Sequence, residues 1–327
     1  MSIDKRTSYT AADSLPIKVL LDSDLVKVAK EQRIISPIHI QMIPTNRCNL
    51  KCSFCSCSER AKELELDFEL MKRIIDKCKA LGTKAVTLTG GGEPLLYRHF
   101  NDMVEYYVKS DIKVGLVSNG MALHKADSTV LNKVTWCRIS NGDDRSFTDK
   151  YYETLSSVVK NAPNVDWAFS HVVSTKPNLY EISRVVEFAN RHNFTHVRLV
   201  ADLFHPGDVD MTGIREYLHE KNISDERVIY QNRKEYTQGG DCYIGYLKPL
   251  IGADGRVYLC CGVQYALSEP TKDLPNELCL GDAINMDQII AKSSTPANGH
   301  ICVKCYYSNY NSILKSLVSD IEHKEFL

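Results

Sequence analysis

Cysteines are the residues whose type and spacing point to chemistry in this 327-residue chain, and they fall into two groups. Three of them, Cys48, Cys52 and Cys55, form a CxxxCxxC motif, and Cys57 follows two residues later. The second group lies beyond residue 240 and comprises Cys242, Cys260, Cys261, Cys279, Cys302 and Cys305. Thiols grouped in this way are typical of metal or cofactor ligands when a chain stays in a reducing compartment.

The rest of the composition excludes several classes of protein. Twelve cysteines in 327 residues are too dilute for a small disulfide scaffold, and the opening MSIDKRTSYT lacks the profile of a secretory signal. No apolar run approaches the roughly 18 residues of a membrane span. With 40 basic against 41 acidic residues, the charge balance does not favour nucleic acid as a partner. We therefore expect a cytoplasmic protein without a membrane partner.

Three thiolates as close as those of the first motif can converge on one metal centre. A structural zinc site normally takes four ligands, usually from two separated pairs. A [4Fe–4S] cubane held by three cysteines instead keeps one iron open for an outside ligand. Two further cysteines, Cys78 and Cys137, fall on the apolar faces of a predicted helix and strand, so we expect both to pack in the core.

An alternating series of strands and helices surrounds the first motif. Hydrophobic periodicity predicts strands over 38–43, 84–89, 112–118, 134–140, 165–173 and 196–201. Helices are predicted over 66–81, with Asp67 as its candidate N-cap, and over 99–110, 148–160 and 178–190, with another from about 125. This alternation favours a parallel sheet with crossover helices. One face of several strands is polar, which suits a barrel or half-barrel with a wet interior.

The motif loop resembles the signature of radical S-adenosylmethionine (SAM) enzymes, because CxxxCxxC follows the first predicted strand. GGEP at 91–94 follows the second strand, VSNG at 117–120 follows the third, and Ser140 ends the fourth. The resemblance implies an α/β fold, with a partial (β/α)6 TIM-type barrel over residues 37–222. An N-terminal extension, 1–36, would precede the barrel, and a small C-terminal α+β iron–sulfur domain, 223–327, would follow it.

The same resemblance implies a cofactor and its contacts. Cys48, Cys52 and Cys55 would hold a [4Fe–4S] cluster whose fourth iron binds SAM, and reductive cleavage of SAM would release a 5′-deoxyadenosyl radical. The other implied SAM contacts are Phe54 at the adenine, Gly91, Gly92 and Glu93 at the methionine moiety, and Ser118, Asn119 and Ser140 at the ribose and carboxylate. The alternatives are packing at the barrel mouth for Phe54 and a helix N-terminal charge for Glu93. For Ser118, Asn119 and Ser140 the alternative is strand-end capping. Ser140-Asn141-Gly142 stands where the family often has SxDG, so the role of that loop stays open.

The second cysteine group can supply a second cluster. Cys242 and Cys260 bracket a hairpin whose turn is predicted at Ala253-Asp254-Gly255, and Cys302 and Cys305 form a CxxC pair. These four thiolates suit an auxiliary [4Fe–4S] cluster, with a zinc site as the alternative. The tail resembles the twitch domain, a smaller relative of the SPASM domain. Cys261 and Cys279 are then extra, and either could replace one of the four ligands.

The predicted chemistry is hydrogen-atom abstraction by the deoxyadenosyl radical, followed by oxidation (dehydrogenation) or epimerisation of a small molecule such as an aminosugar. The few residues before 38 lean toward a small molecule, because many peptide-modifying relatives carry a leader-binding domain there. The alternatives are maturation of a ribosomally made peptide and, more remotely, a non-catalytic iron–sulfur or zinc scaffold. A flavodoxin or ferredoxin is the expected electron donor. Candidates to meet substrate are His196, Arg198, Asp202 and His205, which could equally be structural, and Cys57, Cys261 and Cys279 are the candidate hydrogen-donating thiols.

Overall fold

The computed structural model describes residues 11–145, 147–204, 209–231, 236–266 and 271–323. The strands are β1 His39–Met42, β2 Ala85–Leu88, β3 Lys113–Ser118, β4 Trp136–Gly142, β5 Asp166–Val173, β6 His196–Ala201, β7 Val228–Gln231, β8 Asp241–Cys242, β9 Leu250–Ile251, β10 Arg256–Tyr258, β11 Cys279–Asp282 and β12 Ala297–Asn298. The α-helices are α1 Ala11–Leu21, α2 Ser23–Gln32, α3 Phe68–Ala80, α4 Phe100–Lys109, α5 Ser128–Leu131, α6 Asp149–Asn161, α7 Leu179–Arg191, α8 Met211–Glu220, α9 Ile244–Leu247, α10 Met286–Ile290 and α11 Ser308–Val318. Among the described residues, no helix is both long and apolar enough to cross a membrane.

The chain divides into two compact units. The central unit comprises Pro44–Ser58 and Thr87–Glu235, and the terminal unit comprises Met1–Ile43, Glu59–Val86 and Tyr236–Leu327. Each unit is made of separate stretches of the chain, whereas the predicted domains, 37–222 and 223–327, are continuous. That predicted division stays a prediction.

The central unit is built on parallel strands joined by helices. β3, β4, β5, β6 and β7 pair in that order, all parallel, and the register aligns Ser140 with Ser170 and Ser170 with Arg198. Helices α5, α6, α7 and α8 connect successive strands, as parallel pairing requires. The predicted α/β fold with parallel strands is confirmed. Hydrophobic periodicity did not reveal β7, which continues the sheet beyond the six predicted strands.

The two faces of this sheet differ in character. Phe169 on β5 stacks on Phe194 and meets Phe188 of α7 edge-on, so its face of the sheet lies under the helices. Cys137 and Ile139 on β4 are fully buried. Side chains alternate between faces along a strand, and the intervening Arg138 and Ser140 are only partly buried. The polar face that the strand pattern predicted is therefore present.

The terminal unit combines one parallel strand pair with an antiparallel meander. β1 pairs parallel with β9 through Gln41 and Leu250, and β9, β10 and β11 are antiparallel neighbours. Gly255 has a φ of 75° in the turn between β9 and β10, a left-handed conformation that glycine adopts without strain. The predicted hairpin turn is thus confirmed. α3 begins where predicted, because the Asp67 carboxylate accepts a hydrogen bond from the Leu70 N–H at 2.8 Å.

Candidate functional site

The first cysteine motif lies on a loop of tight turns that follows β1. The Cys55 N–H donates to the Cys52 carbonyl at 3.2 Å, and the Ser58 N–H donates to the Cys55 carbonyl at 3.3 Å. Cys48 is exposed, while Cys52 and Cys55 are partly buried. The Cys57 N–H also donates to the sulfur of Cys55 at 3.4 Å. The turns hold the three thiols on a short segment, with one backbone donor directed at a sulfur.

Arg145 reaches this loop from the segment after β4, and the sequence analysis did not find it. Its Nη2 donates to the sulfur of Cys52 at 2.7 Å, and its Nη1 donates to the carbonyl of Ser140. The guanidinium also lies over the ring of Phe54, 5.1 Å from its centroid. Burial raises the pKa of the Cys52 thiol, and the neighbouring Arg145 charge opposes that rise. No local pattern in the sequence marks this contact, because it depends on how two loops meet.

Phe54 occupies the space that a side chain at Gly142 would need. A Cβ at Gly142 would overlap Cε1 of the Phe54 ring. Two residues after Gly142, the Asp144 carboxylate accepts hydrogen bonds from the Ser53 N–H at 2.7 Å and the Ser53 hydroxyl at 3.1 Å. The cysteine loop therefore packs on the end of β4, where the absence of a side chain at Gly142 gives the ring room.

The glycine segment after β2 packs against the cysteine loop as well. A Cβ at Gly92 would overlap the carbonyl oxygen of Arg47, and the Glu93 N–H donates to that same oxygen at 2.7 Å. Gly91 is buried and Gly92 partly exposed. Gly92 is thus needed for the close approach of two backbones, and its predicted contact with the methionine moiety stays a prediction.

Glu93 is 2% exposed and joins the segments after β2 and β3. One carboxylate oxygen accepts from the Ser118 hydroxyl at 2.7 Å, and the other accepts from the Asn119 N–H at 2.7 Å. Burial raises the pKa of the Glu93 carboxyl, and these hydrogen bonds oppose that rise. The carboxylate also accepts from the Leu95 N–H at 3.2 Å, so the helix N-terminal alternative for Glu93 describes part of its role.

The other predicted SAM contacts lie around this carboxylate and the end of β4. The side-chain amide of Asn119 donates to the Asn49 side chain at 2.8 Å, and Ser118 Oγ accepts from the Gly120 N–H at 2.9 Å. Ser140 is partly buried near the end of β4. The predicted SAM-contact residues therefore all lie in the central unit, with Ser118 and Ser140 at the ends of β3 and β4 and the others on loops.

The predicted substrate residues form local contacts. Arg198 donates to the Ser170 hydroxyl from Nη2 at 2.9 Å. Asp202 is buried and accepts from the Phe204 N–H at 2.9 Å, and His196 Nδ1 lies 3.0 Å from the Thr195 hydroxyl. His205 lies outside the described residues.

Four cysteines of the second group line one cavity in the terminal unit. The lining includes all four predicted auxiliary ligands, Cys242, Cys260, Cys302 and Cys305. Burial, together with neighbouring thiols, raises the pKa of Cys242 to about 12 and that of Cys302 to about 11. Four thiols around one small space are the donor set of a closed iron–sulfur or zinc site.

Backbone pairing between two distant segments creates this cavity. The Gly239 N–H donates to the Cys302 carbonyl at 2.7 Å, and the Gly299 N–H donates to the Gly240 carbonyl at 3.0 Å. A Cβ at Gly239 would overlap the Gly299 carbonyl oxygen. Close backbone approach at glycines thus brings the CxxC pair beside Cys242.

The remaining cysteines have other surroundings. Cys261 and Cys279 are not among the described residues that line the cavity. The Cys261 sulfur lies 3.9 Å from the Tyr307 hydroxyl, and the Cys279 sulfur lies 3.7 Å from the Gly281 carbonyl. Cys57 is 8% exposed and lies 3.6 Å from the Gly90 carbonyl oxygen. Cys78 and Cys137 are fully buried, so their predicted core positions are confirmed.

The thiols of both sets are the donor type that iron–sulfur clusters take. Within the described ranges, no group of three or more His, Cys, Asp or Glu side chains is already gathered closely enough to hold a metal ion. A cubane distributes its ligands over several irons, so its thiolates need not converge on one point. The donor types, the hydrogen bonds to sulfur and the four-thiol cavity therefore fit iron–sulfur clusters.

Comparisons with known proteins agree with this geometry. The family model of the Radical SAM superfamily matches residues 42–135. GTP 3′,8-cyclase of Mannheimia succiniciproducens is 32% identical over 293 residues, covering 76% of this chain and 83% of that protein. The sporulation killing factor maturation protein SkfB of Bacillus subtilis is 26% identical over 248 residues, covering 68% of this chain and 60% of SkfB.

The same fold occurs among solved structures. Streptococcus suis SuiB bound to S-adenosylmethionine superposes with a TM-score of 0.61 at 16% identity, covering 94% of this chain and 82% of SuiB. At that identity the likeness shows the fold alone. The family match and the cyclase relative together show that the chain belongs to the radical SAM superfamily. It is therefore a radical SAM enzyme, and the predicted [4Fe–4S] cluster with SAM is confirmed as the cofactor of its family.

Proposed function

We propose that this chain is an oxidative radical SAM enzyme that carries an auxiliary cluster. Cys48, Cys52 and Cys55 hold the SAM-binding cluster in this proposal. Cys242, Cys260, Cys302 and Cys305 hold the auxiliary cluster of a twitch-like domain. When bound, the first cluster and SAM supply a 5′-deoxyadenosyl radical that takes a hydrogen atom from an unactivated C–H bond.

The observation that carries the oxidative outcome is the set of four cysteines that line one cavity. Four thiolates provide a protein ligand for every iron of a cubane, which leaves no iron open to substrate. A cluster held there would supply an acceptor for the electron of a substrate radical, and the accompanying proton would pass to solvent, so that the substrate would lose two hydrogen atoms in all. Epimerisation would instead need a hydrogen-donating thiol, for which Cys57, Cys261 and Cys279 are the candidates.

The chain's own residues bind and orient SAM. Gly91 and Gly92 let the backbone approach the methionine moiety, and Phe54 packs at the adenine. Glu93 holds Ser118 and Asn119 through hydrogen bonds of 2.7 Å, which fixes the loops that flank the cofactor together with Ser140. Arg198 and Asp202 are the proposed substrate contacts of the polar sheet face.

A peptide is the substrate class that we favour. SkfB is named as a maturation protein, and SuiB has been solved bound to the precursor peptide SuiA. A small molecule is the second candidate, because the GTP 3′,8-cyclases are named for a nucleotide. Oxidation of an aminosugar belongs to this second class. The proposed location is the cytoplasm, where a flavodoxin or ferredoxin would donate the electron.

Anaerobic reconstitution of the full chain tests the proposal. We expect about eight irons per chain and release of 5′-deoxyadenosine when SAM and a strong reductant are added. If a candidate peptide or aminosugar is the substrate, mass spectrometry should show that its product has lost two hydrogen atoms. The matched control is a chain with Cys48, Cys52 and Cys55 all changed to alanine, which should keep about four irons and release no deoxyadenosine. A product that takes up deuterium from the solvent without losing two hydrogen atoms would contradict the oxidative outcome.

A further inference from the structure

We propose that Arg145 is a positioning residue for the SAM-binding cluster. In this proposal Arg145 donates a hydrogen bond to the sulfur of Cys52 and raises the cluster's reduction potential. The inference rests on the proposed role of Cys52 as a cluster ligand. Arg145 would then be one of the residues that set how easily this cluster accepts its electron.

Arg145 makes this contact with Cys52, the second thiol of the motif. Nη2 of Arg145 lies 2.7 Å from Cys52 Sγ, whereas Cys55 Sγ accepts from the Cys57 backbone N–H at 3.4 Å, and Cys48 is exposed. Cys52 therefore has a cationic side-chain donor, and Cys55 has a neutral backbone donor. Hydrogen bonds from charged donors are roughly twice as strong as those from neutral donors.

Two contacts hold the guanidinium in this position. Nη1 donates to the Ser140 carbonyl, and the Phe54 ring lies under the guanidinium at 5.1 Å. The neighbouring Asp144 carboxylate bonds to Ser53, through the backbone N–H at 2.7 Å and the hydroxyl at 3.1 Å. The charge of Arg145 is thus directed at the thiol by β4 and the cysteine loop.

A cation at a cluster sulfur affects the two oxidation states differently. The reduced cluster carries one more negative charge than the oxidised cluster, so a positive donor stabilises the reduced state more. Hydrogen bonds to the sulfurs are among the factors that set iron–sulfur potentials. Arg145 contacts a thiol of the first motif, so we expect its replacement to change the potential of the first cluster and to leave that of the auxiliary cluster unchanged.

A redox titration of the SAM-free, reconstituted full chain tests this proposal. Electron paramagnetic resonance would follow both clusters, and the signal that changes when SAM is added identifies the first one. We expect Arg145→Met to shift that cluster to a more negative potential and Arg145→Lys to shift it less, since lysine keeps the charge. The auxiliary potential should stay constant in both variants.

Arg184→Met is the matched control. Arg184 also donates to a backbone carbonyl, that of Phe147 at 2.7 Å, and lies over an aromatic ring, that of Tyr152 at 4.5 Å. In the described part of the chain its other contacts are with Asp149, Glu181 and Tyr180 rather than with a sulfur, so this variant should leave both potentials unchanged. An equal shift in both control and test variants would overturn the proposal.

A spectroscopic measurement on the unmutated chain covers the case in which Arg145→Met fails to fold. With 15N-labelled arginine, pulsed resonance of the reduced first cluster should detect a coupled guanidinium nitrogen, and its absence would overturn the inference. An Arg145→Met potential equal to the parent value, with weaker SAM binding, would make Arg145 a SAM ligand and likewise overturn it. A parent chain without a SAM-responsive cluster would overturn the proposed function as well.

Discussion

Glu93 accepts a hydrogen bond from the backbone N–H of Asn119 at 2.7 Å, across two segments that are 26 residues apart in the chain. Its other carboxylate oxygen is used by the Ser118 hydroxyl. Three residues that resemblance assigned separately to SAM therefore form one hydrogen-bonded unit. Glu93 therefore orders the loops after β2 and β3, in addition to the charge that we propose it presents to SAM.

Glu93→Gln should weaken both folding and SAM binding. The amide keeps the shape of the side chain but loses the carboxylate that accepts from Ser118 and Asn119. We expect the free energy of unfolding to fall by about 1–3 kcal/mol, the cost of leaving buried donors poorly satisfied. Chemical denaturation of the cluster-free chain measures this change, and a SAM titration of the reconstituted chain measures binding.

Glu105→Gln is the control for that experiment. Glu105 lies on α4 of the same unit and forms an ion pair with Lys133, whose side chain is 42% exposed. Surface ion pairs of this kind contribute less than about 1 kcal/mol. Equal losses of stability in the two variants would contradict the role given to Glu93.

The pair of Asp143 and His171 predicts a pH dependence of stability. His171 is fully buried, and its Nε2 lies 2.8 Å from the Asp143 carboxylate, which also accepts from the Ser174 N–H at 2.6 Å. Burial raises the pKa of Asp143, but these hydrogen bonds outweigh it and hold the pKa below its ordinary 3.8. The ionised form is therefore favoured by folding.

Because the folded pKa is depressed, this stabilisation is present above pH 3.8 and is lost as the pH falls through the folded pKa. Asp143→Asn should accordingly cost about 1–3 kcal/mol near neutral pH and progressively less in acid. Urea unfolding of the cluster-free chain across the acid range measures the difference. Asp102→Asn, at a carboxylate that is 70% exposed, is the control. A cost for Asp143→Asn that grows in acid would contradict this account.

Local patterns in the sequence were enough to predict most of the elements that carry the site. The Asp67 cap, the Gly255 turn and six strands follow from short-range preferences, and the structure contains each of them. The four cysteines that line the auxiliary cavity were chosen from spacing and one hairpin turn. The cap, the turn and the strands depend on neighbours in the chain, which a single sequence displays.

Features that depend on distant neighbours were missed. Arg145 meets Cys52 across 93 positions, and Asp143 meets His171 across 28. The strand β7 has only four residues and lies in the region that the sequence analysis gave to the iron–sulfur domain. A long polar side chain in a loop does not reveal which of many reachable partners it contacts.

Gly142→Ala should displace Phe54 and weaken SAM binding. The added Cβ would overlap the ring, and overpacking of this kind typically costs about 1–3 kcal/mol. Shortening the ring as Phe54→Leu in the same chain should restore part of the lost stability, because the clash partner is removed. Thermal unfolding of both single variants and the double variant gives the coupling energy. Strict additivity of the two changes would contradict the proposed contact.

Single cysteine changes should separate the auxiliary ligands from the spare thiols. Cys302→Ala and Cys305→Ala each remove a thiol that lines the cavity, so we expect reconstituted iron to fall from about eight toward about four per chain. Cys261→Ala and Cys279→Ala are the matched controls. Their sulfurs contact the Tyr307 hydroxyl and the Gly281 carbonyl, so both variants should keep the full iron content. Iron analysis with Mössbauer spectroscopy measures this. Loss of iron in Cys261→Ala or Cys279→Ala, with full iron in Cys302→Ala, would mean that the ligand set is different.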